Sequence, residues 1–243
     1  MLKYKLLLAM LVLIGLVVTL PQVGHARPAK KGRLLYMTLT KGFHHESVEL
    51  SKQIVKEIGE KSGAYDTSVT EDVGAFTKEN LKNYDAVMFN TTGELPMTDE
   101  EKSAFVDFLR SGHGFVGVHS ATDTFYMWST YGDIIGGWFN HHPWHQMVTI
   151  DVADPKSPLV SFLGNSFQIN DEIYQISDFK AETSHVLLRL DPSPSICRKR
   201  ACASGITAGR WPGRACSERA GFITTAWAMR TRCGMTNGTR RCS

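Results

Sequence analysis

Apolar and polar positions alternate with two different periods along this chain, and each change of period marks an element. Residues 33–39 (RLLYMTL) form a short, nearly unbroken apolar run and read as a buried first strand. Between 44 and 61 the apolar positions fall at helical spacing, with Leu50, Ile54 and Ile58 in line and Val55 beside them. That spacing predicts a helix whose core-facing stripe is made of those residues. A weaker strand is expected over 65–70, a short helix over 79–83 and a third strand over 85–89. The next helix carries its own punctuation. Thr98 and Glu101 have the spacing of a capping box, Ala104, Phe105, Phe108 and Leu109 supply one apolar face, and Gly112 stands where a C-terminal cap belongs. Residues 114–118 (GFVGV) read as a fourth strand.

Strands that alternate with helices and are apolar throughout predict a parallel sheet covered by helices on both faces, with right-handed crossovers. After Ile135 the pattern changes. Residues 146–152, 166–170 and 186–190 look like strands separated by turns, a β extension of the same domain. Residues 32–192 are therefore expected to form one α/β domain.

The two ends of the chain do not share this patterning. Lys3 and Lys5 precede an apolar run over 6–20, followed by Pro21 and the small residues around Gly24-His25-Ala26. That order reads as a signal peptide over 1–26, and predicts a secreted or periplasmic protein with no stable membrane insertion after cleavage. Charge is just as uneven. Residues 28–194 hold 14 basic and 23 acidic side chains, a net of −9, whereas 195–243 hold ten basic and one acidic, a net of +9. The acidic body gives no reason to expect a nucleic-acid partner. All five cysteines (Cys197, Cys202, Cys216, Cys233, Cys242) lie in the basic tail. The tail has no periodic apolar pattern. Read one base earlier with free third codon positions, residues 210–243 can yield a strand-like run, a Gly-Lys-Gly turn, a His-rich loop and a helix-like end. Residues 195–243 are therefore expected to be an out-of-frame, disordered tail, which the nucleotide sequence would decide.

In an open α/β sheet, ligands bind where the strands end. Three polar segments fall there: 40–46 (TKGFHHE), 90–94 (NTTGE) and 119–123 (HSATD). They are far apart in sequence and are expected to meet along one sheet edge. Trp138, Phe139, His141, His142, Trp144 and His145 follow, and then the pair Asp171-Glu172 beside Tyr174. His119, at a strand-to-helix turn, reads as a general acid/base, a metal ligand or a buried structural histidine. Asp123 either orients it or caps the next segment. His44 and His45 begin a helix and point in different directions, so one of them at most is expected to serve, and His44 is taken as a substrate contact. Thr92 and Gly93 read as a backbone loop facing the ligand, and Trp144 as a stacking surface. Glu172 is a candidate catalytic carboxylate. A divalent metal, zinc for preference, is a possible cofactor, with His119 and His142 as its ligands.

Five motifs occur in order: GFHHES (42–47), TTGE (91–94), GFVGVHSATDTFY (114–126), YGDIIGGWFNHHPW (131–144) and NDEIYQ (170–175). Together they resemble the ThuA-like, trehalose-utilisation family over residues 33–190. The resemblance implies a flavodoxin-like, class I glutamine-amidotransferase-like fold and a small carbohydrate substrate, of the trehalose type or an oxidised disaccharide. Relatives of the secreted kind carry a glycosyl-hydrolase-like label. The resemblance also implies a negative. Amidotransferases of this fold place a nucleophilic cysteine at the turn after the fourth strand, where this chain has His119, so glutaminase chemistry is not expected. The preferred reading is an enzyme with His119, Glu172 and Asp123 as its catalytic set. The alternatives are a non-catalytic carbohydrate-binding module, or an inactive copy truncated by the frame shift.

Overall fold

The computed structural model describes residues 30–142 and 145–191. Four parallel strands, β1 (Gly32–Met37), β2 (Tyr65–Thr70), β3 (Ala86–Phe89) and β4 (Gly114–Gly117), lie in the order β2-β1-β3-β4. This is the α/β, flavodoxin-like arrangement, and the chain reverses its direction of travel between β1 and β3.

Side chains alternate across the strands, so the sheet has two apolar faces. Leu35, Met37, Val87, Phe89 and Phe115 project to one face. They pack on Leu81 of α2 (Lys78–Leu81), on Ala104, Phe105 and Phe108 of α3 (Asp99–Arg110), and on Tyr131 and Ile135 of α4 (Ser129–Ile135). Leu34, Tyr36, Ala86 and Met88 project to the other, against Val55 of α1 (Ser47–Ser62). The capping box starts α3 as expected: Thr98 Oγ1 accepts from the Glu101 N–H at 3.2 Å, and the Glu101 carboxylate accepts from the Thr98 N–H at 2.7 Å.

The face of α1 differs from the expectation. Val48, Val55 and Gly59 are buried, while Leu50, Ile54 and Ile58 are about half exposed. Large side chains on the sheet force the choice. The Tyr36 hydroxyl lies 2.7 Å from Ser51 Oγ, and the Tyr65 hydroxyl donates to the Val55 carbonyl at 3.1 Å. A side chain at Gly59 would meet the Tyr65 carbonyl at 2.5 Å. The bulky tyrosines thus select the small-residue stripe of the helix, and the aliphatic stripe faces outward.

The β extension forms two small antiparallel sheets rather than widening the parallel one. β5 (Trp138–His141) pairs with β8 (Gln175–Ser177), and β6 (His145–Val152) lies between β7 (Ser166–Glu172) and β9 (Leu188–Leu190). Val148, Ile150, Ile173 and Leu190 close the core beneath the second of these. Among the described residues no helix is long and apolar enough to cross a membrane. The expected signal peptide, Trp144 and the basic tail lie outside the described residues.

Candidate functional site

The loops leaving β1, β3 and β4 are tied together before they present any side chain. Parallel bridges join Thr40 to Thr92 and Gly93 to Thr124, extending the sheet order past the strands. Thr92 is fully buried, and its hydroxyl donates to the Phe43 carbonyl at 2.8 Å. Gly93 has φ +76°, and a Cβ there would sit 2.6 Å from the Gly42 nitrogen. Its N–H donates to the Asp123 carbonyl at 2.7 Å. Thr92 and Gly93 therefore form the seam between the other two loops.

His119 opens a 3-10 turn, His119–Asp123, with φ +48°. A non-glycine residue in the left-handed region is strained and is held there by its surroundings. Ser120, Ala121 and Thr122 behind it are buried, and the buried Tyr131 hydroxyl donates to the Ala121 carbonyl at 2.8 Å. The turn aims the imidazole across the rim. Its Nε2 lies 3.2 Å from the Tyr174 hydroxyl and 3.7 Å from Glu172 Oε2. The His45 ring stands 4.5 Å from the His119 ring at an interplanar angle of 73°. One nitrogen of each imidazole and one oxygen of Glu172 lie within 4.8 Å of one another. His45 Nδ1 and Glu172 Oε2 are buried atoms without a hydrogen-bond partner. These three side chains are the group among the described residues that can hold a metal.

Glu172 reaches the cluster as the last residue of β7, opposite His145 on β6. Its neighbour Asp171 instead accepts the Glu172 N–H at 2.9 Å. Aromatic rings wall the cluster. Phe139 packs on Tyr174 at 4.5 Å, His142 stacks on Tyr174 at 5.7 Å, and the exposed Phe43 meets His45 edge-on at 4.8 Å.

Burial sets the electrostatics. It pushes the His119 imidazole below its ordinary pKa; His45 and His142 add to the shift, and Glu172 and Asp171 oppose it. Burial lowers His45 in the same way, against the pull of Glu172 and Asp123. The Tyr174 hydroxyl is raised far above its usual range, first by burial and then by Glu172. Burial thus favours the neutral form of both imidazoles and of the Tyr174 phenol.

The expected residues end up in different places. His119 and Glu172 meet. His44 does not join them, because its Nδ1 lies 3.0 Å from Thr40 Oγ1 and it sits near Glu71. His45 takes that place. Asp123 accepts from the Tyr126 hydroxyl at 2.6 Å and acts on His45 through its charge. His142 stacks on the wall, outside the three candidate ligands. Trp138 lies against Gly132 of α4 rather than at the rim. Of the pair His44 and His45 the sequence favoured the wrong member for this cluster, and Tyr174 stood out only as a neighbour of the carboxylate pair. The choice between His44 and His45 turns on where α1 begins, and it begins at Ser47, leaving both histidines in the loop before it. A surface cleft of about 530 Å³ between α2 and the first turn of α3 shares no lining residue with the cluster.

A family model described as trehalose utilisation (ThuA) matches residues 33–216. The match runs past Ser195 into the segment expected to be out of frame. The crystal structure of a ThuA-like protein from Bacteroides uniformis ATCC 8492 is similar to this chain, with a TM-score of 0.57 and 26% identity over 69% of this chain and 72% of that one. The glutaminase domain of Trypanosoma brucei CTPS is similar at a TM-score of 0.31 and 8% identity over 70% of this chain and 72% of that one, too remote to argue from. No curated protein sequence matches the chain.

Proposed function

This chain belongs to the ThuA, trehalose-utilisation family, and on that premise we propose that it is an enzyme acting on a small trehalose-type or oxidised disaccharide at the cluster of His45, His119 and Glu172. The observation that carries this reading is the His119 imidazole, held on a left-handed turn, with a carboxylate at 3.7 Å and a phenol at 3.2 Å.

A neutral imidazole can take a proton from a sugar hydroxyl, or from a carbon beside a sugar carbonyl. The imidazolium so formed faces Glu172, whose negative charge stabilises it. The same imidazole then returns the proton to a departing oxygen. Tyr174, kept protonated by its burial, donates a hydrogen bond that orients His119 or the substrate. Phe43, Phe139 and Tyr174 offer ring faces and edges to the apolar side of a sugar. Asp123 adds negative charge from the loop after β4. The composition of residues 1–26 supports export of the mature protein.

Turnover of trehalose and of its oxidised derivatives by wild type and His119→Ala tests the reading. Proton transfer by a positioned side chain contributes about 10²–10⁴-fold, so His119→Ala is expected to lose at least about 100-fold in kcat. Turnover unchanged by His119→Ala would contradict the assignment. Sugar binding without any turnover would make the protein a carbohydrate-binding module.

A further inference from the structure

We propose that His45, His119 and Glu172 form a divalent transition-metal site, of the open kind that leaves coordination positions free toward the ligand.

The three residues come from three separate parts of the chain. His45 precedes α1, His119 follows β4 and Glu172 ends β7. The parallel sheet and the loop seam fix the first two. The β6·β7 pairing, with His145 opposite Glu172, fixes the third. One donor atom from each lies within 4.8 Å of the others, and His119 Nε2 and Glu172 Oε2 are 3.7 Å apart. Donors about 2.0–2.2 Å from a shared zinc-like ion are separated by roughly 3–4 Å. Small side-chain rotations close the remaining gap.

The polar accounting supports the same site. His45 Nδ1 and Glu172 Oε2 are buried atoms with no hydrogen-bond partner. A buried polar atom that goes unmet is costly, and two of them on members of one three-residue cluster call for a common partner. A cation satisfies a carboxylate and neutral imidazoles together.

The donor set selects the class of ion. Two imidazoles and one carboxylate suit zinc, or iron and cobalt in the divalent state. Calcium and magnesium favour all-oxygen sites. The side chains of His119 and Glu172 are 31% and 26% exposed, so the site is open on its outer side. Adjacent oxygens of a sugar would approach there, with His119 holding the ion in place of the proton-transfer role given to it above; only the carbohydrate assignment of that reading carries over to this part of the inference. The metal site itself does not rest on it.

The test uses the full chain, stripped with a chelator and checked for folding by circular dichroism. Zinc is titrated calorimetrically, and cobalt is followed by its visible absorption. One equivalent per chain is expected, with a visible ligand-field spectrum and without the near-ultraviolet band of a cobalt thiolate, which separates this site from the tail cysteines. His45→Ala and Glu172→Gln should each weaken zinc binding by about 100-fold or more, since even outer partners of metal ligands are worth about 10–100-fold. His44→Ala should leave binding unchanged. Tyr174→Phe should retain binding, which shows that disturbing the cluster does not by itself abolish the site. Absence of stoichiometric binding to the folded wild type overturns the inference. So does binding that survives both His45→Ala and Glu172→Gln. Trehalose binding is measured separately on the stripped and the zinc-treated chain. Trehalose bound by a chain that takes up no zinc removes the metal site and leaves the carbohydrate reading standing; zinc bound by a chain that takes no trehalose in either form does the reverse.

Discussion

Beneath the rim, Phe76, Phe89, Phe105 and Phe115 touch one another at ring-centroid distances between 5.3 and 5.9 Å, mostly edge to face, and each is buried. At the rim, His45 Nδ1 and Glu172 Oε2 are buried as well, but have no hydrogen-bond partner. The floor meets its requirements internally, while the rim does not. Dense aromatic packing makes a floor that resists deformation. Such a floor can hold His119 on a strained turn and leave polar atoms waiting for a ligand. The predictions below probe this contrast in order of expected size.

The largest effect should come from the floor. Phe105→Ala is expected to cost about 4 kcal/mol of stability, within the range for aromatic-to-alanine changes in a core. A denaturant titration checks it. A loss below about 1 kcal/mol would mean that the floor is not tightly packed.

Glu172→Gln separates the rim from the floor. It should lower kcat by about 100-fold, equivalent to about 2.7 kcal/mol at 1.36 kcal/mol per tenfold change. Its stability should stay within about 1 kcal/mol of wild type, because the side chain is 26% exposed and the amide keeps its shape. Parallel rate and unfolding measurements decide this. A large stability loss would place Glu172 among the structural groups.

The seam lies between the two regions in kind. Gly93→Ala puts a Cβ 2.6 Å from the Gly42 nitrogen at φ +76°. About 2 kcal/mol of destabilisation is expected from the backbone strain, together with reduced activity, since the loops that carry His45 and His119 must shift. A thermal melt and a rate assay read both.

His44 and His45 are neighbours in sequence with opposite surroundings. His44→Ala should change stability by no more than about 0.5 kcal/mol, as expected of a surface site, and activity by less than threefold, while His45→Ala disables the site. Equal effects from the two variants would show that the assignment of His45 is mistaken.

The smallest effect is on the acid side. Lys52 bonds Glu71 at 2.7 Å and holds its carboxyl below the ordinary 4.5. A depressed folded-state pKa stabilises the protein above 4.5, and the contribution disappears as pH falls through the folded value. With the glutamate side chain 54% exposed, solvent screening limits this to under about 0.5 kcal/mol. Comparing Glu71→Gln with wild type between pH 7 and pH 3 measures it.

Much of the fold was legible because period and punctuation agreed. The α3 helix shows both, with Thr98 and Glu101 at its start and Phe105 and Phe108 on its buried face. α1 misled because its large aliphatics, Leu50, Ile54 and Ile58, mimic a core stripe. What decides the buried face is the size of Tyr36 and Tyr65 on the partner strands, which no single-helix pattern contains. α4, β5 and β8 went unforeseen because they are short and owe their form to tertiary contacts. At the rim, His119 and Glu172 were each named as candidates from the sequence, but their meeting was not legible there, because Glu172 arrives on β7 of a separate antiparallel sheet. The choice of His45 over His44 depended on a loop conformation set by Thr40, Phe43 and Thr92, residues that pair only after folding.

The central claim is that His45 and His119 face one ligand together. Side-chain NMR of the full chain with ¹⁵N-labelled histidine, titrated with trehalose, tests it directly. The account predicts that the His45 and His119 imidazole signals shift in concert with a single saturation curve, while those of His44, His113 and His185 stay in place. Shifts at His44 without His45, separate saturation of His45 and His119, or no shift at either would contradict it.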